Sequence, residues 1–206
     1  MEQSFMGDMM AKKKSIKLSV GNFKNSVTEI ENFLDSITFS SSEAKYTSWA
    51  FDAAVIRLFR SFETLMLDTI VGTVNKDTSC LSNATGVLFP KHLPKNACEY
   101  LITGGGYFDF KGRDGLIKVI CEHLGTTHAI HSVVKKSEYK NAIEQLCALR
   151  NFAAHNSAKS KRAALKSIGA SNMSSAGAWL KVGSRFDELK SKFVQLANEI
   201  EELAPF

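Results

Sequence analysis

Residues 137–155, SEYKNAIEQLCALRNFAAH, set Ile143, Leu146 and Cys147 along one stripe, with Leu149, Phe152 and Ala153 beside it. That period of about 3.6 residues marks a helix with a broad buried face, here opened by Ser137 and closed near His155. Arg150 breaks the pattern. It follows Leu146 by four positions and Ile143 by seven, so it falls on the apolar stripe, where a permanent charge requires an anionic partner or a wet cleft. Asn151 and His155 stack one turn apart, and Arg150 and His155 stand about 140° from each other around the axis. The pair borders one groove without touching.

Outward from this helix the same period recurs through most of the chain. SVTEIENFLDSI (26–37) predicts a helix over 27–38, with Ser26 and Glu29 in capping-box spacing. The serine-rich 39–48 reads as a loop. A long central helix follows from an N-cap at Ser48, with Gly72 near its end. Residues 75–95 hold two of the three prolines and predict an irregular connection. NACEYLI (96–102) predicts a short helix stopped by the triple glycine at 104–106, YFDF (107–110) an extended loop, and GRDGLIKVICEHLG (112–125) a further helix. The final one, RFDELKSKFVQLANEIEEL (185–203), aligns Phe186, Leu189, Phe193, Leu196, Ile200 and Leu203. The expected architecture is therefore all-α: a single helical domain over 26–206 with irregular loop insertions, preceded by a flexible N-terminal segment, 1–25.

At 206 residues and 44% hydrophobic, the chain can bury a full core. No stretch reads as a signal peptide or membrane span, so a soluble, cytoplasmic protein with no membrane partner is expected. Cys80, Cys98, Cys121 and Cys147 lack CxxC spacing and read as free thiols. The net charge of +5 is modest, but between Asn156 and Arg185 stand six basic residues and no acid. Such a block can attract a polyanion, which makes Lys159, Lys161, Arg162 and Lys166 candidates for substrate binding; a solvated face without a ligand explains it equally.

Imidazole exchanges a proton at neutral pH, and arginine's planar fork matches phosphate. Together they suit RNA cleavage without a metal or other cofactor: one group takes the proton of the 2′-hydroxyl nucleophile, another assists the leaving 5′-oxygen, and cations stabilise the phosphorane-like transition state. Spacing alone decides little. With this composition an arginine followed five positions later by a histidine is expected by chance roughly 0.15 times, and a histidine near a helix end is otherwise a favourable C-terminal charge.

Arg150, Asn151 and His155, in RNFAAH, resemble the signature of the HEPN superfamily. The order of elements agrees over about 26–204: a long helix with a glutamate, an irregular middle, the motif near a helix end and a final packing helix. Within the superfamily the chain looks most like the ribonuclease-L and PSP-associated branch, many of whose members belong to bacterial defence or toxin systems. The resemblance implies an all-α, metal-independent endoribonuclease for single-stranded or loop RNA, working as a homodimer whose motif faces meet in a shared cleft. It makes Arg150 and His155 catalytic, gives Asn151 the role of orienting the histidine or binding phosphate, and adds an antitoxin or sensor protein as a further partner. A HEPN dimer that binds RNA or a nucleotide without cutting it, or serves as a scaffold, is the alternative. In members paired with a nucleotidyltransferase antitoxin a tyrosine stands two residues after the histidine; here it is Ser157, so control through that tyrosine is not implied.

Glu63 corresponds to the family's helix glutamate and is a candidate to hold Arg150; the simpler reading is an exposed partner of Arg60. Cys121, His123, His128 and His131 cluster in CEHLGTTHAIH but lack ligand spacing, and no metal site is expected. In GGGYFDFKGRDG, which has no P-loop lysine, Lys111 and Arg113 are candidate RNA-backbone contacts. Residues 166–184 are rich in small side chains and read as a flexible arm over the cleft, with Trp179 anchoring it to the core or stacking on a base.

Overall fold

Val20, Phe23, Val27, Ile30 and Leu34 recur at helical spacing and are all buried, which makes one helix, α1 (Ile16–Ser40), of a region expected to start only at 27. The computed structural model describes residues 13–40 and 43–203, the side chains of 38–40 excepted. Residues 16–25 are thus the first turns of the helical domain and not a flexible segment; 1–12 lie outside the described residues. Ser26 sits mid-helix because Val20 and Phe23 extend the buried stripe ahead of it.

The central helix α2 (Ala44–Lys76) begins before its expected cap. Ser48 lies inside it, its hydroxyl donating to the Ala44 carbonyl at 2.9 Å, and Lys181 donates to that same carbonyl at 2.7 Å. Tertiary contact therefore supports a first turn in which Tyr46 and Thr47 are weaker helix formers than Ala44 and Lys45. The connection after α2 contains a helix, α3 (Ser79–Thr85), ended by Gly86 in the left-handed region at φ 73°. Both prolines of that stretch follow α3, and the Thr78 hydroxyl donates to the Pro90 carbonyl at 2.7 Å, tying the turn back.

Next come α4 (Lys95–Thr103), capped by Gly104, and α5 (Gly112–Leu124), capped by Gly125. A short helix not foreseen, α6 (Ala129–Lys135), starts where the His128 ring accepts the Ile130 N–H, and buries Ile130, Val133 and Val134. Then follow α7 (Ser137–His155), α8 (Ala158–Ile168), α9 (Ala176–Leu180) and α10 (Arg185–Leu203). Ser137 is the first residue of α7 rather than its cap, which is Lys136. The described residues contain no strand, and none of their helices is long and apolar enough to cross a membrane.

α1 runs antiparallel to α2, with Lys14 on Asp68 at 2.6 Å at one end and Arg57 facing Glu29 at 3.5 Å towards the other. α10 lies against both: Lys24 pairs with Glu201 at 2.6 Å, and edge-on rings join Phe51 to Phe186 and Phe62 to Phe193. The start of α7 rests on α10 through Lys136–Glu199 at 2.8 Å, while its later turns cross α2. Phe62, Leu65, Met66, Ile143, Leu146, Leu149 and Phe193 are fully buried where these helices meet. Each such side chain contributes roughly 1.5–3 kcal/mol of transfer free energy, so the crossing is rigid enough to hold a side chain in place.

Candidate functional site

Burial of Leu149 and Phe152 fixes the rotation of α7, leaving Arg150 half-buried and Asn151, Ala154 and His155 exposed. The conflict over Arg150 is resolved by an aromatic surface. Its guanidinium carbon lies 4.6 Å from the centroid of the Phe59 ring on α2, and Nη1 donates to the Asn151 side-chain oxygen at 2.9 Å. A cation over a ring face contributes about 0.5–2 kcal/mol, more as water is excluded.

Glu63 stands one turn after Phe59 and is half-buried. Burial pushes its carboxyl up to about 6, against the opposing pull of Arg150; Asp109 raises it further, and the attraction of Arg60 is the weakest of these influences. The stronger electrostatic partner of Glu63 is therefore Arg150, not Arg60. Cys147, one turn before Arg150, is pushed up to about 12, first by burial and then by Glu144, so it stays a neutral thiol.

The aromatic contact under Arg150 continues from Phe59 to Phe110, with ring centroids 5.6 Å apart, and on to Phe108 at 6.0 Å. Both rings come from 107–110, whose alternation turns Phe110 and Phe108 inward and leaves Tyr107 and Asp109 exposed. The alternation is real without a partner strand. Phe59 and Asp109 were not singled out from sequence: one is an ordinary apolar position of α2, and the other is brought to Glu63 only by the path of the loop.

The His155 side chain makes no hydrogen bond among the described residues and stands at the C-terminal end of α7. Asn156 follows at φ 43°, the one non-glycine residue with positive φ among the described residues, and its N–H donates to the Phe152 carbonyl at 2.9 Å. Ser157 then caps α8 reciprocally with Ser160: each hydroxyl takes the other residue's N–H at 3.1 Å. The position compared above with a tyrosine thus carries a structural serine.

Along α8, Lys159, Arg162 and Lys166 fall within about 60° of one another and are exposed, a basic row beginning four residues beyond His155. Lys161 does not join it. It lies on the opposite face with Ala164, Leu165 and Ile168, which pack on the core, so its stem is half-covered.

Residues 166–184 are not a loose arm. Gly169 ends α8, and α9 seats on α2, with the Gly177 N–H donating to the Asp52 carboxylate at 2.6 Å and Ala176, Gly177 and Leu180 buried. Trp179 anchors it: it packs on the core, with the Arg185 guanidinium 4.7 Å from its ring centroid. Arg113 is also committed within the fold, its backbone N–H to Glu144 at 3.0 Å and its Nε to the Val134 carbonyl at 3.3 Å, while Lys111 remains exposed. Of the Cys–His stretch, His123 bonds the Val119 carbonyl at 2.9 Å and His128 caps α6; no group of three possible ligands forms among the described residues.

The chain provides a held guanidinium, an exposed imidazole and, on the next helix, an exposed cationic row, groups of a kind suited to a phosphodiester. No family model, curated protein or solved structure matches this chain.

Proposed function

We propose that the chain is a metal-independent endoribonuclease of HEPN type acting on single-stranded or loop RNA, with Arg150 and His155 as catalytic residues. The observation that carries this reading is the placement of the motif. Arg150 is braced by Phe59 and Asn151 yet half-open, and His155 is exposed at the end of α7, four residues ahead of the basic row on α8. A pair serving only as a helix cap would gain nothing from such a brace.

In the proposed reaction an imidazole takes the proton of the 2′-hydroxyl. The O2′–P bond forms as the P–O5′ bond breaks, and a second acid, His155 of another copy in a homodimer, protonates the leaving oxygen. Arg150 stabilises charge on the pentacovalent phosphorus, and Asn151 fixes the guanidinium. The products are a 2′,3′-cyclic phosphate and a 5′-hydroxyl. Lys159, Arg162 and Lys166 hold the strand, while Glu63 acts through Arg150 as a positioning residue.

Purified protein should cut RNA in EDTA. His155→Ala and Arg150→Ala should each lower the rate at least 100-fold while keeping the native circular dichroism. Magnesium-dependent cleavage with 3′-hydroxyl ends, or full activity in both variants, would overturn the assignment. Salt-sensitive RNA binding with no turnover by the wild-type chain would leave the binding module in its place.

A further inference from the structure

One face of α2 is turned to solvent over four turns. Tyr46, Trp49, Ala53, Arg57 and Arg60 are all exposed and fall within about 80° of one another around the helix, a stripe about 21 Å long with no acidic residue in it. Its first half is aromatic. Trp49 is 55% exposed and Tyr46 48% exposed; their rings meet edge-on with centroids 5.5 Å apart, and the Lys45 ammonium lies 4.7 Å from the Trp49 centroid. Trp49 is thus braced by two neighbours of its own helix while more than half of it meets water. A braced, exposed ring is a stacking surface, and every nucleobase has a π-face to lay on it.

The second half of the stripe is cationic. Arg57 and Arg60 border a cleft of about 220 Å³ between α1 and α2, lined also by Asn22 and Ser26 of α1 and by Ser61 and Thr64 of α2. Guanidinium forks beside hydroxyl and amide groups suit phosphate oxygens. Acidic neighbours hold the two arginines loosely. Arg57 meets Glu29 at 3.5 Å with both side chains 60% exposed or more, a pair that water screens and a phosphate can displace. Arg60 exerts the weakest of the influences on Glu63, three residues further along α2. Asp68, whose carboxylate also lines the cleft, is engaged by Lys14 at 2.6 Å and by the Ser19 hydroxyl at 2.9 Å. Ring faces at one end and arginines over a polar cleft at the other match a ligand that offers flat rings and phosphates at short intervals. A single-stranded polynucleotide offers both, whereas a duplex hides its base faces.

We propose that this face of α2 is a binding track for single-stranded RNA, with bases stacked on Trp49 and Tyr46 and phosphates held by Arg57 and Arg60 at the cleft. Arg60 adjoins Phe59, which lies under Arg150, so the track leads to the flank of the proposed site. The choice of RNA as the strand rests on that reading of function; the track itself uses none of its catalytic residues.

The probe is an oligouridylate in which every 2′-hydroxyl is methylated, so it binds without the nucleophile that cleavage needs. The chain has two tryptophans, and Trp179 is packed on the core beside Arg185, so quenching on titration reports Trp49. Saturable quenching is expected in the native full-length chain and none in Trp49→Phe. Affinity, read from the anisotropy of a labelled probe, should fall at least about fivefold in each of Trp49→Ala, Arg57→Glu and Arg60→Glu. All three side chains are exposed, and circular dichroism checks that each variant is folded. The same backbone without bases should bind at least about fivefold more weakly than the probe. Absence of saturable binding, equal affinity in Trp49→Ala, equal affinity for the base-free strand, or arginine reversals without effect would each overturn the track. Because the probe cannot be cut, the two proposals fail separately. Quenching by the probe while ordinary RNA stays intact removes the reaction and keeps the track, whereas cleavage of ordinary RNA without quenching by the probe removes the track.

Discussion

Arg150 shows how a charge is accommodated on an apolar stripe. Its guanidinium is planar and less tightly hydrated than an ammonium, so the face of Phe59 replaces part of its water shell at small cost. Lysine would not reproduce that fit. The neighbouring Glu63 records the same balance in its titration. Its pKa rises from the ordinary 4.5 to about 6, so the folded protein binds that proton more tightly than the unfolded chain does. Its contribution to stability is therefore complete below pH 4.5 and is lost as the pH climbs through 6. The urea midpoint of the wild type relative to Glu63→Gln should fall across that window and level off above it. A difference that stays constant from pH 4 to 7 would show that burial does not govern this carboxyl.

At the scale of elements, α9 demonstrates how a five-residue helix is held by close contact with a longer one. Gly177 approaches α2 so closely that a Cβ would overlap the Ser48 carbonyl oxygen, and its N–H reaches the half-buried Asp52 carboxylate. Burial raises the pKa of Asp52 while the Gly177 and Ser175 hydrogen bonds lower it, so the carboxylate depends on α9 as α9 depends on it. Gly177→Ala should force the two backbones apart and cost at least about 1–3 kcal/mol, read as a lower denaturation midpoint. An unchanged midpoint would mean that α9 is not seated on α2. The helices not read from the sequence are α3, α6, α8 and α9. α3 and α6 each span seven residues, barely two turns, so no apolar period can be recognised in them. The long helices were legible, because α7 and α10 repeat their buried stripe over 19 residues each.

For the molecule as a whole, the charge pattern makes a prediction about RNA that does not depend on catalysis. Lys159, Arg162 and Lys166 form one row and Lys161 faces away, so these lysines should not be equivalent. Each phosphate contact to a single strand contributes about 0.7 to the slope of log affinity against log salt. Lys159→Ala and Arg162→Ala should each flatten that slope by about 0.7, and Lys161→Ala should leave it unchanged. Equal effects from all three would mean that RNA is attracted by net charge alone and that α8 presents no ordered row.

What the sequence determined was local: the helical class, the presence of the long helices, the chain stops at Gly104 and Gly125, and the close succession of Arg150, Asn151 and His155 with a basic segment after them. These follow from a fixed rise and rotation per residue, so spacing alone reveals them. Only the tertiary structure decided that Phe59 lies under Arg150, that Glu63 is governed by Arg150 more than by Arg60, that 166–184 is clamped to α2, and that Arg57 and Arg60 of α2 share a cleft with Asn22 and Ser26 of α1. Each of these joins residues from different elements. Their meeting depends on how the helices cross and pack, and no local period encodes that geometry.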